Sequence, residues 1–212
     1  MTDSIKEDQK TQSPLPHREG WGESLLLDIK KELRANMNGI ASAAMRQTED
    51  YRVNWGIELP RIHSIAKEFE AEASHELAQT LWKESVRECK ILATILMPVE
   101  NFDEELCDIW AEDIHTEEIA TMFCLNLMTR LSYASKKAFE WIAKEGMLEN
   151  CGYLTLCHVM RKGELSERSA EEFLDQASAA LNNKYAIKAL LIYASQSEEC
   201  ANKVKKIADY LL

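Results

Sequence analysis

Apolar residues recur along this chain at intervals of three and four, the spacing of one helical face, from about residue 21 to the C-terminus. Leu26, Leu27, Ile29, Leu33 and Met37 predict a helix over 23–36, with Gly39 marking its end or a close contact. A second helix is predicted over 40–49. A break over 51–59 leads to Pro60, which suits the first turn of a helix, and Ile62, Ile65, Ala66 and Phe69 follow at helical spacing. Leu77, Ala78, Leu81 and Trp82 predict a helix over 74–84, and Val86, Cys89, Leu92, Ala93 and Leu96 another over 86–97. The second half repeats the format over 103–112, 116–131, 135–145, 148–161, 166–181, 183–196 and 198–211. Ser169 with Glu172 has the form of a capping box, and Ser166 competes as the start of that helix. Alternating apolar and polar residues never persist without an equally good helical reading, so no strand is predicted. The fold class is all-α, either a globular bundle or a stack of antiparallel helix pairs like HEAT or armadillo repeats.

Composition agrees with many helices and few hairpins. Seven Gly and four Pro are present, where average usage at this length gives roughly 25 of the two together. Residues 1–20, with Pro14, Pro16 and no apolar period, read as a disordered N-terminal tail, and 21–212 as a single helical domain. The longest apolar run stops at Pro98, far short of the roughly 20 residues of a membrane span. The six cysteines form no CxxC pair, and no signal-peptide core precedes them. Buried, reduced thiols of a cytoplasmic, monomeric protein are the expectation.

Charge narrows the function classes. The chain carries 25 Lys plus Arg against 36 Asp plus Glu, a net of −11. Neither half is basic, so a whole-surface grip on phosphates is excluded, and any nucleic-acid contact must come from a local cationic strip. Lys136 with Lys137, Arg161 with Lys162, and Lys184 with Lys188 are the candidates, and they would line one face if the helices stack in rows. For any single pair, a solvated helix face is the plainer account. Two Glu-x-x-His pairs, Glu72 with His75 and Glu112 with His115, have the ligand spacing of di-iron bundles, but the abundance of Glu makes such pairs expected by chance. No cofactor or metal is expected. An acidic cluster, Glu112, Asp113, Glu117 and Glu118, surrounds Thr116, which suits the N-cap of a helix whose first turn favours carboxylates. The sharper reading makes Glu117 or Asp113 a carboxylate that stabilises a developing cation, with Trp110 as an aromatic wall. No phosphate loop and no GxSxG elbow is present.

Three stretches carry more than any local motif. Trp55-Gly56-Ile57-Glu58-Leu59-Pro60 before a helix, Leu81-Trp82 leading into Arg87-Glu88, and Trp141-Ile142-Ala143 together resemble the alkylpurine DNA glycosylase family of the AlkD type, over about residues 33–200. The resemblance implies a HEAT-like superhelix whose concave cationic face holds duplex DNA, and a carboxylate beside aromatic walls that assists cleavage between an alkylated base and its sugar. It matches the family's aspartate to Glu117, with Asp113 second and Trp110 as a replacement wall. It matches the family's arginine to the neighbourhood of Cys151 and its late tryptophan to that of Ala189. Two readings follow: a DNA glycosylase of weakened activity, or a non-catalytic HEAT-like module that binds a protein partner or structured nucleic acid.

Overall fold

The computed structural model describes residues 21–48, 51–163 and 165–212, so the tail expected over 1–20 lies outside the described residues. The helical period is realised almost segment by segment. In chain order the helices are α1 (Trp21–Ala35), α2 (Gly39–Thr48), α3 (Leu59–Glu68), α4 (His75–Trp82), α5 (Arg87–Leu96) and α6 (Glu104–Glu112). They continue with α7 (Glu117–Asn126), α8 (Ala134–Ile142), α9 (Met147–Arg161), α10 (Glu167–Ala179), α11 (Lys184–Ala194) and α12 (Glu198–Ala208). Among the described residues there is no strand, only a single parallel bridge between Val53 and Val86.

Local chemistry sets the boundaries. Ser74, Asp103, Thr116, Ser166, Asn183 and Ser197 cap the helices that follow them, each accepting a backbone N–H two or three residues on. Pro60 occupies the first turn of α3, where its missing N–H costs nothing. One open alternative is settled and two expectations are corrected. Ser166 rather than Ser169 is the cap of α10. Gly39 opens α2, and a Cβ there would meet nothing within 4 Å. The segment 116–131 is not one helix, because α7 ends at Asn126 and a 3-10 turn over Met128–Arg130 follows.

The arrangement is a stack of rows. Helices α3, α5, α7, α9 and α11 lie in sequence, each packed on the next, with α4 beside α5, α8 beside α9 and α10 beside α11. This is the HEAT-like alternative of the two architectures. Gly152 lets α9 approach α8, since a Cβ there would lie 2.7 Å from the Ala138 carbonyl oxygen. Buried side chains from Ile29 to Val204 form one contiguous cluster. An aromatic chain runs through it: Trp82 stacks on Trp110 at 4.2 Å, Phe123 touches Trp82 at 6.1 Å, and Trp141 touches Phe123 at 6.1 Å.

Candidate nucleic-acid interface

The residues of the site are positioned from the start of α5. Arg87 and Glu88 open that helix with side chains 1 % and 0 % exposed. The Glu88 carboxylate accepts the backbone N–H groups of Trp55 (3.1 Å) and Ile57 (3.2 Å), while the Arg87 guanidinium donates to the Ile57 carbonyl (2.8 Å) and to Glu88 (3.0 Å). The turn between these anchors needs Gly56, whose φ is +71° and whose added Cβ would meet the Asn38 carbonyl oxygen at 2.3 Å. The other edge of Arg87 makes a two-pronged pair with Glu118 at the start of α7, both contacts at 2.6 Å, and Tyr51 donates its hydroxyl to the same carboxylate. Burial works against the Glu118 charge, but hydrogen bonds from Arg87 and Tyr51 outweigh it and hold the carboxyl below the usual range. Burial first, and Glu118 second, push the Tyr51 phenol up.

Beside this corner opens a cleft of about 310 Å³, with Tyr51, Arg52, Lys83, Lys90, Asp113 and His115 among its lining. Arg52 and Lys83 are exposed there and have no anionic partner among the described residues. Lys90 lies over the Trp82 ring at 4.3 Å and pairs with Asp113 at 2.5 Å.

From the corner, charge runs along the row of helices. Glu117, next to Glu118, pairs with Lys184 at the start of α11 at 2.5 Å, and that contact chiefly holds the Glu117 carboxyl below its ordinary value. Lys188 follows Lys184 one turn later on the same helix. Arg161, Lys162 and Lys188 crowd His158 near the end of α9, and they add to the burial that lowers its pKa. Arg161 and Lys188 are exposed and have no anionic partner among the described residues, while Lys162 donates to the Thr129 carbonyl.

The candidates from sequence therefore separate. Asp113 lines the cleft, whereas Glu117 stands outside it with Lys184. Trp110 is corrected from a wall to a core residue: it is 1 % exposed, sandwiched by Trp82 and Phe102. Lys137 is likewise corrected, because it is 5 % exposed and pairs with Asp108 and Glu140, each at 2.8 Å. Its neighbour Lys136 is exposed and paired with Glu104 at 2.6 Å. Cys151 and Ala189, at the positions matched to an arginine and a tryptophan, are fully buried. Among the described residues no three His, Cys, Asp or Glu side chains converge as metal ligands, so the two Glu-x-x-His pairs stay separate. All six cysteines are free thiols, and no described helix is long and apolar enough to cross a membrane.

Sequence reasoning missed Tyr51, Arg52 and Lys83, and it read Arg87-Glu88 as a helix-opening signature without seeing its partners. The signal was the adjacency of two opposite charges at the head of an apolar helical face, Cys89, Leu92, Ala93 and Leu96, which demands compensation at both ends once buried.

A sequence model of the family described as DNA alkylation repair enzyme matches residues 29–190. No curated protein matches the chain. Among solved structures the chain is similar to one described as belonging to a new family of proteins related to the HEAT-like repeat DNA glycosylases with affinity for branched DNA structures. The two agree with a TM-score of 0.78 at 16 % identity, over 87 % of this chain and 82 % of that one. At this identity the likeness is one of fold.

Proposed function

Given that the chain belongs to the DNA alkylation repair enzyme family, we propose that it binds DNA through the strip formed by Arg52, Lys83, Lys184, Lys188 and Arg161, with little base excision. The observation that carries this reading is that Arg52, Lys83, Lys188 and Arg161 are exposed with no anionic partner among the described residues, in a chain of net charge −11, while Lys184 between them is paired with Glu117. In a protein with excess carboxylates, uncompensated cations beside one another are a phosphate-binding feature. The affinity for branched DNA attributed to the structural relative agrees with this reading.

The same geometry argues for weak excision. A carboxylate that stabilises a cationic sugar must face it unneutralised. Here Glu117 is paired with Lys184, Glu118 with Arg87, and Asp113 with Lys90, while the indoles of Trp82 and Trp110 face each other in the core. Residual excision falls to Asp113, the candidate acid that lines the cleft.

Fluorescence anisotropy with a duplex and a four-way junction across a salt series tests the binding. Affinity should fall steeply as salt rises, as expected for several phosphate contacts. Salt-independent or absent binding would reject the reading. Release of base from alkylated duplex should stay near background, and Asp113→Asn should remove what little there is. Robust release that this substitution abolishes would instead establish a glycosylase.

A further inference from the structure

A second hollow, apart from the cleft, lies under α2. Together with the segment 53–55, this helix encloses about 380 Å³. The rim is open, with Met37 55 % exposed and Arg46 exposed on the next turns. The floor is Asn54, which is 2 % exposed. Neither Nδ2 nor Oδ1 of Asn54 has a hydrogen-bond partner. A buried carboxamide with neither end satisfied is a cost to the free protein, and most buried polar groups in folded chains avoid it. Trp55 stands beside Asn54, half-buried, with the Arg34 guanidinium over its ring at 5.6 Å. Arg46 donates to the Ser42 hydroxyl at 3.3 Å and has no anionic partner among the described residues.

We infer that this hollow receives an unpaired nucleobase of the bound DNA. A carboxamide presents a donor and an acceptor side by side, the complement of a base edge. An indole next to it offers a stacking wall, and a guanidinium at the rim meets the adjoining phosphate. A base paired inside a duplex already has its Watson–Crick edge engaged by its partner base, so the hollow selects DNA with a displaced or unpaired base. The inference rests on the DNA-binding reading above and adds to it a reason for preferring interrupted duplexes.

The test compares a duplex with the same duplex carrying one unpaired base, by anisotropy, for the wild type, Asn54→Leu and Arg46→Ala. The wild type should prefer the interrupted duplex by about tenfold, in line with one bidentate base contact. Asn54→Leu keeps the shape and removes the amide. It should lose that preference, bind the paired duplex as before, and melt at the same or a higher temperature, because the lost amide had no partner. Arg46→Ala is a surface change that leaves the fold intact and should reduce the preference by about threefold. It carries the test alone if Asn54→Leu does not fold. Equal wild-type affinity for the two DNAs, or a preference that survives both substitutions, overturns the inference while leaving DNA binding in place. Failure to bind either DNA overturns both.

Discussion

Two regions of this molecule use the same residue types for opposite ends. At the start of α5, Arg87 and Glu88 are withdrawn from water, Glu118 of α7 is half-buried against them, and every charge meets another or a backbone group. At the end of α9 and one turn into α11, Arg161 and Lys188 stay in water with no anion beside them among the described residues, near enough to His158 to add to the burial that depresses its pKa. The difference teaches that charge in this fold is structural where it is saturated and available where it is not. A saturated pair holds a loop in place and offers a ligand nothing. An unsaturated pair of like charges costs the free protein a little repulsion, which a phosphate backbone relieves.

Breaking the buried corner should have the largest effect. Arg87→Ala leaves Glu88 buried without its counter-ion and should lower stability by about 3–5 kcal/mol, read from urea unfolding. A well-behaved Arg87→Met/Glu88→Gln/Glu118→Gln triple variant that recovers much of the loss would confirm that the cost is one of unpaired charge. If Arg87→Ala unfolds at the wild-type midpoint, the corner is not structural.

Next in size is the loss of DNA affinity at the open end. Arg161→Glu with Lys188→Glu should weaken duplex binding by at least about tenfold and flatten its salt dependence, with stability within about 0.5 kcal/mol of the wild type. The two regions would lose their contrast if this pair of changes unfolded the protein or left binding intact.

Acid titration sharpens the comparison further. The folded-state pKa of Glu118 lies below its ordinary value. Its stability contribution is therefore complete above the ordinary carboxylate pKa of about 4.3, and is lost as pH falls through the folded value. Glu118→Gln should be less stable than wild type at pH 7, and the gap should close as the pH drops below that point. His158 has the opposite use. Its pKa is lowered in the free protein, and phosphates near Arg161 and Lys188 would raise it, so DNA binding takes up a proton. Affinity should rise by about two- to threefold as pH falls from 7.5 to 6, and His158→Gln should abolish that rise. The smallest effect belongs to Lys136, an exposed cation already paired with Glu104. Lys136→Ala should change DNA affinity by less than about twofold, because a neutralised surface cation adds little.

Much of the architecture is legible in the pattern of residues. The period of three and four predicts helices at α1 through α12, and Thr116 and Pro60 mark helix starts because cap and first-turn chemistry is local. Ser166 and Ser169, three residues apart, offer equal local signals, and the folded chain uses Ser166, whose hydroxyl accepts the Ser169 N–H. The long segment 116–131 breaks at Leu127 because the chain must turn to bring Arg130 to the carbonyls of Thr94 and Met97, contacts more than thirty residues away. The candidate site is less legible for the same reason. Trp110 and Lys137 look available as letters, yet one stacks on Trp82 and the other reaches Asp108 across the gap to α6.

The sequence by itself determined the class of fold and most helix boundaries to within a few residues, since these follow from spacing within a turn or two, and its resemblance to a known family in three motif stretches pointed to the family that residues 29–190 match. Only the tertiary structure decided which charges are spent on each other and which are left over. Electrostatic pairing acts through space between rows of helices. Two carboxylates adjacent in the chain, Glu117 and Glu118, end up serving partners on different helices, Lys184 on α11 and Arg87 on α5.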